Sequence, residues 1–239
     1  MLTLPILMYH KIHEIPSEAG YRRNYVLPAQ FEEQMKSLEE WGYTTVTIER
    51  WMEIRAGREP APKRPIALTF DDGYESVYRN AWPALRRHGM TATIFLVAHA
   101  LGKSNQWDRG EPQQPLMTLD EIKEMSAAGI AFGSHTCTHR ALPELSEKEQ
   151  LDELAGSREE LEAALGQPVT TLAYPYNKQN RKIRRLVRRA GYRAAVLGRG
   201  RLNARWTNPY ALMRIAIHLQ TTREEFERQL ARPRWALGL

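Results

Sequence analysis

The sequence predicts an α/β fold, a nearly closed (β/α) barrel built as one domain over residues 1–239. Three observations predict it. Short apolar runs rich in β-branched residues alternate with amphipathic helical stretches along the whole chain, which is the pattern of a parallel sheet. The number of these units favours closure into a barrel over an open sheet. The polar residues with chemical capacity sit where the apolar runs stop, and in a parallel barrel all strand C-termini share one face.

In chain order, Leu4 to Tyr9 is the first expected strand and Pro28 to Trp41 the first helix. Thr44 to Ile48 reads as a second short strand. PIALTF, Pro65 to Phe70, reads as a strand buried on both faces. A helix is expected from Ser76 to His88, and TATIFLV, Thr91 to Val97, gives the strongest strand signal in the chain. Leu119 to Ala128 reads as a helix with Thr118 as N-cap and Gly129 at its end, followed by a strand from Ile130 to Gly133. Ser146 stands three residues before Glu149, a capping-box pattern that opens a long helix to Leu165, closed by Gly166. Thr171 to Tyr174 is a strand, Asn180 to Ala190 a helix closed by Gly191, and Arg193 to Leu197 another strand. Leu212 to Ile217 is the last strand and Thr222 to Leu230 the last helix. Leu101 to Leu116 is polar and contains proline. It is expected to be a long loop between a strand and a helix, where binding groups are often carried. No repeat, Gly/Ser-rich linker or low-complexity tract divides the chain.

A chain of 239 residues with 42% hydrophobic and 26% charged residues has the make-up of a water-soluble globular enzyme. Its single cysteine, Cys137, excludes an intrachain disulfide framework. The opening MLTLPILMYHKIHE lacks a basic leader and a small-residue cleavage site, and no stretch is long and apolar enough to span a membrane. The expectation is a cytoplasmic protein as written, or the trimmed form of an exported one. Formal net charge is +6, and much of the excess lies between Lys178 and Arg205. A solvated helix face accounts for that stretch, and attraction to an anionic polymer is the functional alternative.

His10 follows the first strand, Asp71 and Asp72 follow PIALTF, His135 follows IAFGS, and Pro175 and Tyr176 follow TLAY. Arg214 lies inside the last strand. His135 and His139 would project from one side if the chain made a helical turn after Ser134, and could then share a cation. Two histidines alone are more often bystanders, and Asp-Asp-Gly alone is more often a solvated turn. Together, two imidazoles and a carboxylate leave coordination positions open for water and substrate, as in catalytic rather than structural metal centres. Adjacent carboxylates beyond a strand point in different directions, so one would ligate and the other would take a proton. The residues alone leave open which does which. Cys137 lies two residues from each histidine and is expected to point away. Trp107 and Asp108 on the long loop would either line a sugar subsite or anchor the loop.

These residues resemble the NodB-homology polysaccharide deacetylases, a family of metal-dependent carbohydrate esterases. The likeness is carried by TFDDGY (Thr69 to Tyr74), SHTCTH (Ser134 to His139), YPY (Tyr174 to Tyr176) and AGY (Ala190 to Tyr192). LMYH, Leu7 to His10, narrows it to the branch similar to biofilm poly-N-acetylglucosamine deacetylases, and the likeness runs to about Ile217. The resemblance implies a distorted (β/α) barrel. It implies Asp71 as general base, and Asp72, His135 and His139 as ligands of a divalent metal: zinc foremost, with cobalt, nickel or another ion as alternatives. It further implies that the Tyr176 N–H holds the oxyanion, that Pro175 and Tyr176 meet the substrate, and that His10 protonates the departing amine. The substrate would be an acetylated oligo- or polysaccharide, with no nucleic-acid partner.

The sequence departs from the wider family in three places. Ala173 stands where an arginine usually tethers the basic aspartate, and Arg214 resembles the arginine that takes over in the LMYH branch. Asn177 stands where glycine is common. His218, which ends IAIH, is an alternative general acid to His10. Two other functions keep the same residues in view. One is an O-acetyl esterase acting on xylan or a similar glycan, and the other a basic, non-catalytic polymer-binding protein.

Overall fold

A computed structural model of the chain describes residues 2–198, 200 and 202–230. Met1, Arg199, Arg201 and residues 231–239 lie outside the described residues, and with them part of the basic stretch. Seven parallel strands form a closed ring: β1 (Ile6–Tyr9), β2 (Pro65–Phe70), β3 (Thr93–Leu96), β4 (Ala131–Ser134), β5 (Thr171–Ala173), β6 (Ala194–Gly198) and β7 (Leu212–Ala216). Each strand pairs with the next, and β7 returns to β1 with Ile215 opposite Leu7 and Ala216 opposite Met8. The helices are α1 (Pro28–Glu40), α2 (Ile48–Arg55), α3 (Trp82–Arg87), α4 (Leu119–Ala127), α5 (Glu147–Leu151), α6 (Ser157–Leu165), α7 (Arg181–Arg189) and α8 (Arg223–Leu230). No α-helix separates β6 from β7 among the described residues. A short strand, Asn203–Ala204, fills that crossover and pairs antiparallel with Thr3–Leu4.

The ring forms because its strands are apolar on both faces. PIALTF and TIFL are buried at every position. The two-residue alternation divides them between two cores. Leu7, Tyr9, Leu68, Phe70, Ile94 and Leu96 pack outward against the helices. Ile6, Ala67, Phe95, Ala173, Val196 and Leu212 point inward. Phe95 reaches so far across the lumen that Gly133 has to lack a side chain. A Cβ there would stand 2.7 Å from the Phe95 ring and 2.5 Å from Thr171 Oγ1.

Several expected elements differ. The strand expected at Thr44 to Ile48 is only Thr44–Thr45, paired with the first residues of β2 outside the ring. Thr47 instead caps α2 by accepting from the Arg50 N–H, and α2 is a helix the sequence reading did not anticipate. It closes the barrel at the strands' N-terminal end. Ile48 and Trp51 join the inner core, the Ile48 N–H donates to Thr93 Oγ1, and Thr171 Oγ1 donates to Glu49. The expected strand Leu4 to Tyr9 is broken at Pro5, which carries no N–H for a ladder. The expected helices Ser76 to His88 and Ser146 to Leu165 each contain a π-helical turn, Val77–Ala81 and Asp152–Gly156.

Candidate active site

The strand C-termini converge on a cavity of about 860 Å³ whose lining includes His10, Asp71, Asp72, His135, His139 and Tyr176. Asp71 ends the run of β2, its N–H still donating to Tyr9 O on the neighbouring β1. Asp72 and Gly73 then turn through left-handed conformations, with φ of 73° and 78°. An aspartate tolerates this better than most residues. The turn points the two carboxylates in different directions, as neighbours beyond a strand end should. Asp71 receives Arg214, which lies in β7 and is completely buried inside the barrel. Asp72 faces the histidines instead.

Asp72 Oδ1 lies 3.4 Å from His135 Nε2 and 3.3 Å from His139 Nε2. Donors held about 2.1 Å from a tetrahedral cation are spaced by about 3.4 Å. Asp72 Oδ1 is buried and has no hydrogen-bond partner among the described residues. The His135 Nδ1 lies 2.8 Å from the Ala173 carbonyl, which fixes the proton on that nitrogen and turns the Nε2 lone pair toward Asp72. Burial, only partly opposed by the Asp71 charge, pulls His135 down to about 4, so its ring is neutral near pH 7. Burial works against ionisation of Asp72, but the neighbouring histidines more than offset it and hold the carboxyl below its ordinary range. Two neutral-capable imidazoles and an ionised carboxylate fit a zinc-like divalent ion.

The histidine loop is not the helical turn the spacing suggested. Thr136 and His139 adopt positive φ, 69° and 60°, and hydrogen bonds rather than helical repeats bring the rings together. Thr136 N–H donates to Ser134 Oγ, His139 N–H to Thr136 Oγ1, and Thr138 N–H to Glu153. Glu153 projects from the π-helical turn Asp152–Gly156, a wide turn of a kind often found beside functional sites. Its role is absent from the sequence reading, and nothing in a helical pattern distinguishes it. Cys137 Sγ faces the Asp152 carbonyl, away from the Asp72 cluster, and burial pushes the thiol up to about 12.

Aromatic rings hold His139 from two sides. Trp107 stacks on it with centroids 4.6 Å apart, and Tyr176 meets it edge-on at the same distance. Trp107 both packs its loop down and lines the cavity, so the two readings of it are not exclusive. The loop is fastened by Asp108, which accepts from Asn105 and Tyr74 and lies 3.8 Å from Lys11 Nζ. Lys11 is buried between the rings of Tyr25 and Tyr74, a cation the sequence reading also missed, because its aromatic neighbours are remote in sequence.

Pro175 and Tyr176 follow β5. Tyr176 and Asn177 both take positive φ, 55° and 57°. Asparagine serves here where glycine would be common, and its Oδ1 accepts the Gly198 N–H. The turn's own hydrogen bonds run from Asn177 N–H to Tyr174 O and from Lys178 N–H to Pro175 O, leaving the Tyr176 N–H out of them. His10 Nε2 lies 3.9 Å from Asp71 Oδ2, and its ring keeps 18% exposure to the cavity. Burial lowers its pKa against the pull of Asp71 and Asp72. His218 lines the same cavity, but its Nδ1 is engaged 3.1 Å from the Arg23 carbonyl. On α7, Lys182 pairs with Glu147, so part of the basic stretch is neutralised on the surface, away from the cavity lining.

Residues 58–195 match the family described as polysaccharide deacetylase. The chain is 32% identical over 215 residues to YxkH of Bacillus subtilis (strain 168), whose own assignment as a polysaccharide deacetylase is provisional; the match covers 90% of this chain and 71% of that protein. It is 27% identical over 179 residues to the poly-β-1,6-N-acetyl-D-glucosamine N-deacetylase of Staphylococcus aureus (strain N315), covering 71% of this chain and 60% of that protein's length. Among solved structures, the Streptococcus pyogenes deacetylase PplD in complex with acetate superposes with a TM-score of 0.86 at 26% identity, covering 97% of this chain and 99% of that one. A polysaccharide deacetylase from Bacillus cereus superposes with a TM-score of 0.82 at 30% identity, covering 96% and 69%. The chain therefore belongs to the polysaccharide deacetylase family.

Proposed function

We propose that the protein is a divalent-cation-dependent hydrolase that removes N-acetyl groups from a polysaccharide containing N-acetylglucosamine. The observation that carries this reading is the side-by-side placement of two differently committed carboxylates. Asp71 is held by Arg214, and Asp72 is held by two histidines at ligand spacing. The substrate class is supported by the staphylococcal relatives named for poly-β-1,6-N-acetylglucosamine N-deacetylation. The metal is proposed to be zinc, with cobalt or nickel able to replace it, on the strength of the mixed imidazole and carboxylate donors.

A cation held by Asp72, His135 and His139 would polarise the acetyl carbonyl and acidify a water molecule. Asp71 takes the proton of the attacking water. Burial opposes its ionisation, but the charge and hydrogen bonds of Arg214 more than offset that and hold the carboxylate charged. The bidentate contact also fixes its orientation. The Tyr176 N–H faces the developing oxyanion, and His10 delivers a proton to the departing nitrogen. Trp107 and Tyr176 offer apolar faces to the sugar ring.

Acetate release from a panel of N- and O-acetylated oligosaccharides, with and without chelator, tests the proposal. Chelator-sensitive release from N-acetylated oligomers supports it. Release from O-acetylated xylan fragments alone would replace it with an esterase.

A further inference from the structure

A second set of ligand-type side chains lies on the α6 side of the histidine loop. His99, Cys137 and Glu160 each place one donor atom within 4.8 Å of the others. They come from three separate segments: the turn Ala98–Ala100 beyond β3, the loop itself, and α6. Backbone bonds hold the first two segments in register, with Ala98 N–H donating to Thr136 O and His99 N–H to Cys137 O. The His99 ring then reaches Glu160, with Nε2 2.9 Å from Oε1. Behind the sulfur runs the turn Asp152–Gly156, and Gly156 leaves it room, since a Cβ there would stand 3.3 Å from Sγ. Cys137 and His99 both line a second cavity of about 940 Å³, which gives an ion a route in.

We propose that His99, Cys137 and Glu160 form a second divalent-cation site, for a thiophilic ion of the zinc class, separate from the Asp72, His135 and His139 centre. Sulfur, imidazole and carboxylate together select zinc-like ions over magnesium or calcium, which take oxygen ligands. Three protein donors leave the fourth tetrahedral position to water. His99 and Glu160 are about half exposed and already meet each other beside the sulfur. On binding, the Cys137 S–H proton leaves to solvent as the sulfur–metal bond forms, and no electron changes hands. The ion would tie the turn, the loop and α6 together directly behind His139.

Cobalt(II) titration of the reduced full chain, followed by absorption and by metal analysis, tests this. Cys137 is the chain's one cysteine, so a thiolate-to-cobalt charge-transfer band reports this site alone. Two cobalt ions per chain are expected, one of them developing the band. His135→Asn should keep the band while the total falls to one. Cys137→Ser should lose both the band and the second ion. His99→Ala combined with Glu160→Gln changes only exposed side chains and should weaken the band-forming ion by at least about tenfold, close to 1.4 kcal/mol. Absence of the band at saturating cobalt overturns the site, as does a band of unchanged affinity in the double variant.

Discussion

The guanidinium of Arg214 and the carboxylate of Asp71 meet as two parallel hydrogen bonds, Nη1 to Oδ1 and Nη2 to Oδ2, each 2.7 Å. Arg214 comes from β7 and Asp71 from the end of β2, so the pair also spans β1, which lies between those strands in the ring. Arg214 is fully buried, with Phe95 beneath its guanidinium and Thr69 Oγ1 as a further partner. Removing one partner of such a pair strands the other charge, at a typical cost of about 3–5 kcal/mol. Arg214→Met should therefore unfold at much lower urea concentration than the parent, and a change within experimental error would show the pair to be energetically idle.

The same pair makes stability depend on pH in a definite direction. Asp71 lies below its unfolded value, which is about 3.9. Its contribution is complete above that value and is lost as pH falls through the lower, folded value. Urea midpoints measured downward from pH 5 should fall less steeply in Asp71→Asn than in the parent. Parallel curves would remove Asp71 from the acid sensitivity.

Asp71→Asn keeps an oxygen for Arg214 but cannot accept the water proton. Turnover should fall by about two orders of magnitude or more, while equilibrium dialysis still finds the cation at the Asp72 centre. Near-parental turnover would take the general-base role from Asp71.

Asp72, His135 and His139 are all buried, and Asp72 Oδ1 lacks a partner among the described residues. Stripping the cation with a chelator should abolish acetate release and lower the melting temperature. A ligand at one hundred times its Kd contributes about 2.7 kcal/mol. Zinc or cobalt should restore both properties in the parent, whereas in His135→Asn acetate release should stay lost. Full activity in metal-free protein would end the cation-dependent reading.

The two candidate acids separate by leaving group. An amine must be protonated to depart, whereas an activated ester alcohol need not be. His10→Ala should cripple N-acetyl hydrolysis, spare hydrolysis of an aryl acetate, and erase the alkaline limb of the kcat/KM profile. His218, tied to the Arg23 carbonyl, should tolerate alanine with a smaller loss. The reverse ranking would reassign the proton donor.

Strand periodicity made the barrel legible, because parallel strands buried on both faces leave long apolar runs such as PIALTF. The same rule misread Thr44 to Ile48, where a β-branched run leads into a helix whose cap is Thr47. The π-helical turns escaped because one extra residue in a turn leaves the apolar spacing almost intact. The approach of Asp72, His135 and His139 follows from strand ends sharing one face. The way the loop achieves it was hidden, since threonine and histidine at positive φ carry no mark in a sequence. The Arg214 tether was readable only through family likeness. Nothing near Ala173 names a partner forty-one positions further along the chain.

With α2 stoppering the barrel at the strands' N-terminal end, the described residues leave the chamber open on the side of the strand C-termini. Trp107, Tyr176 and His218 line that cavity together with Asp71 and Asp72, so the proposed sugar chain would lie against all three. Under the proposed function, freed acetate would leave by the same side on which the polymer is bound.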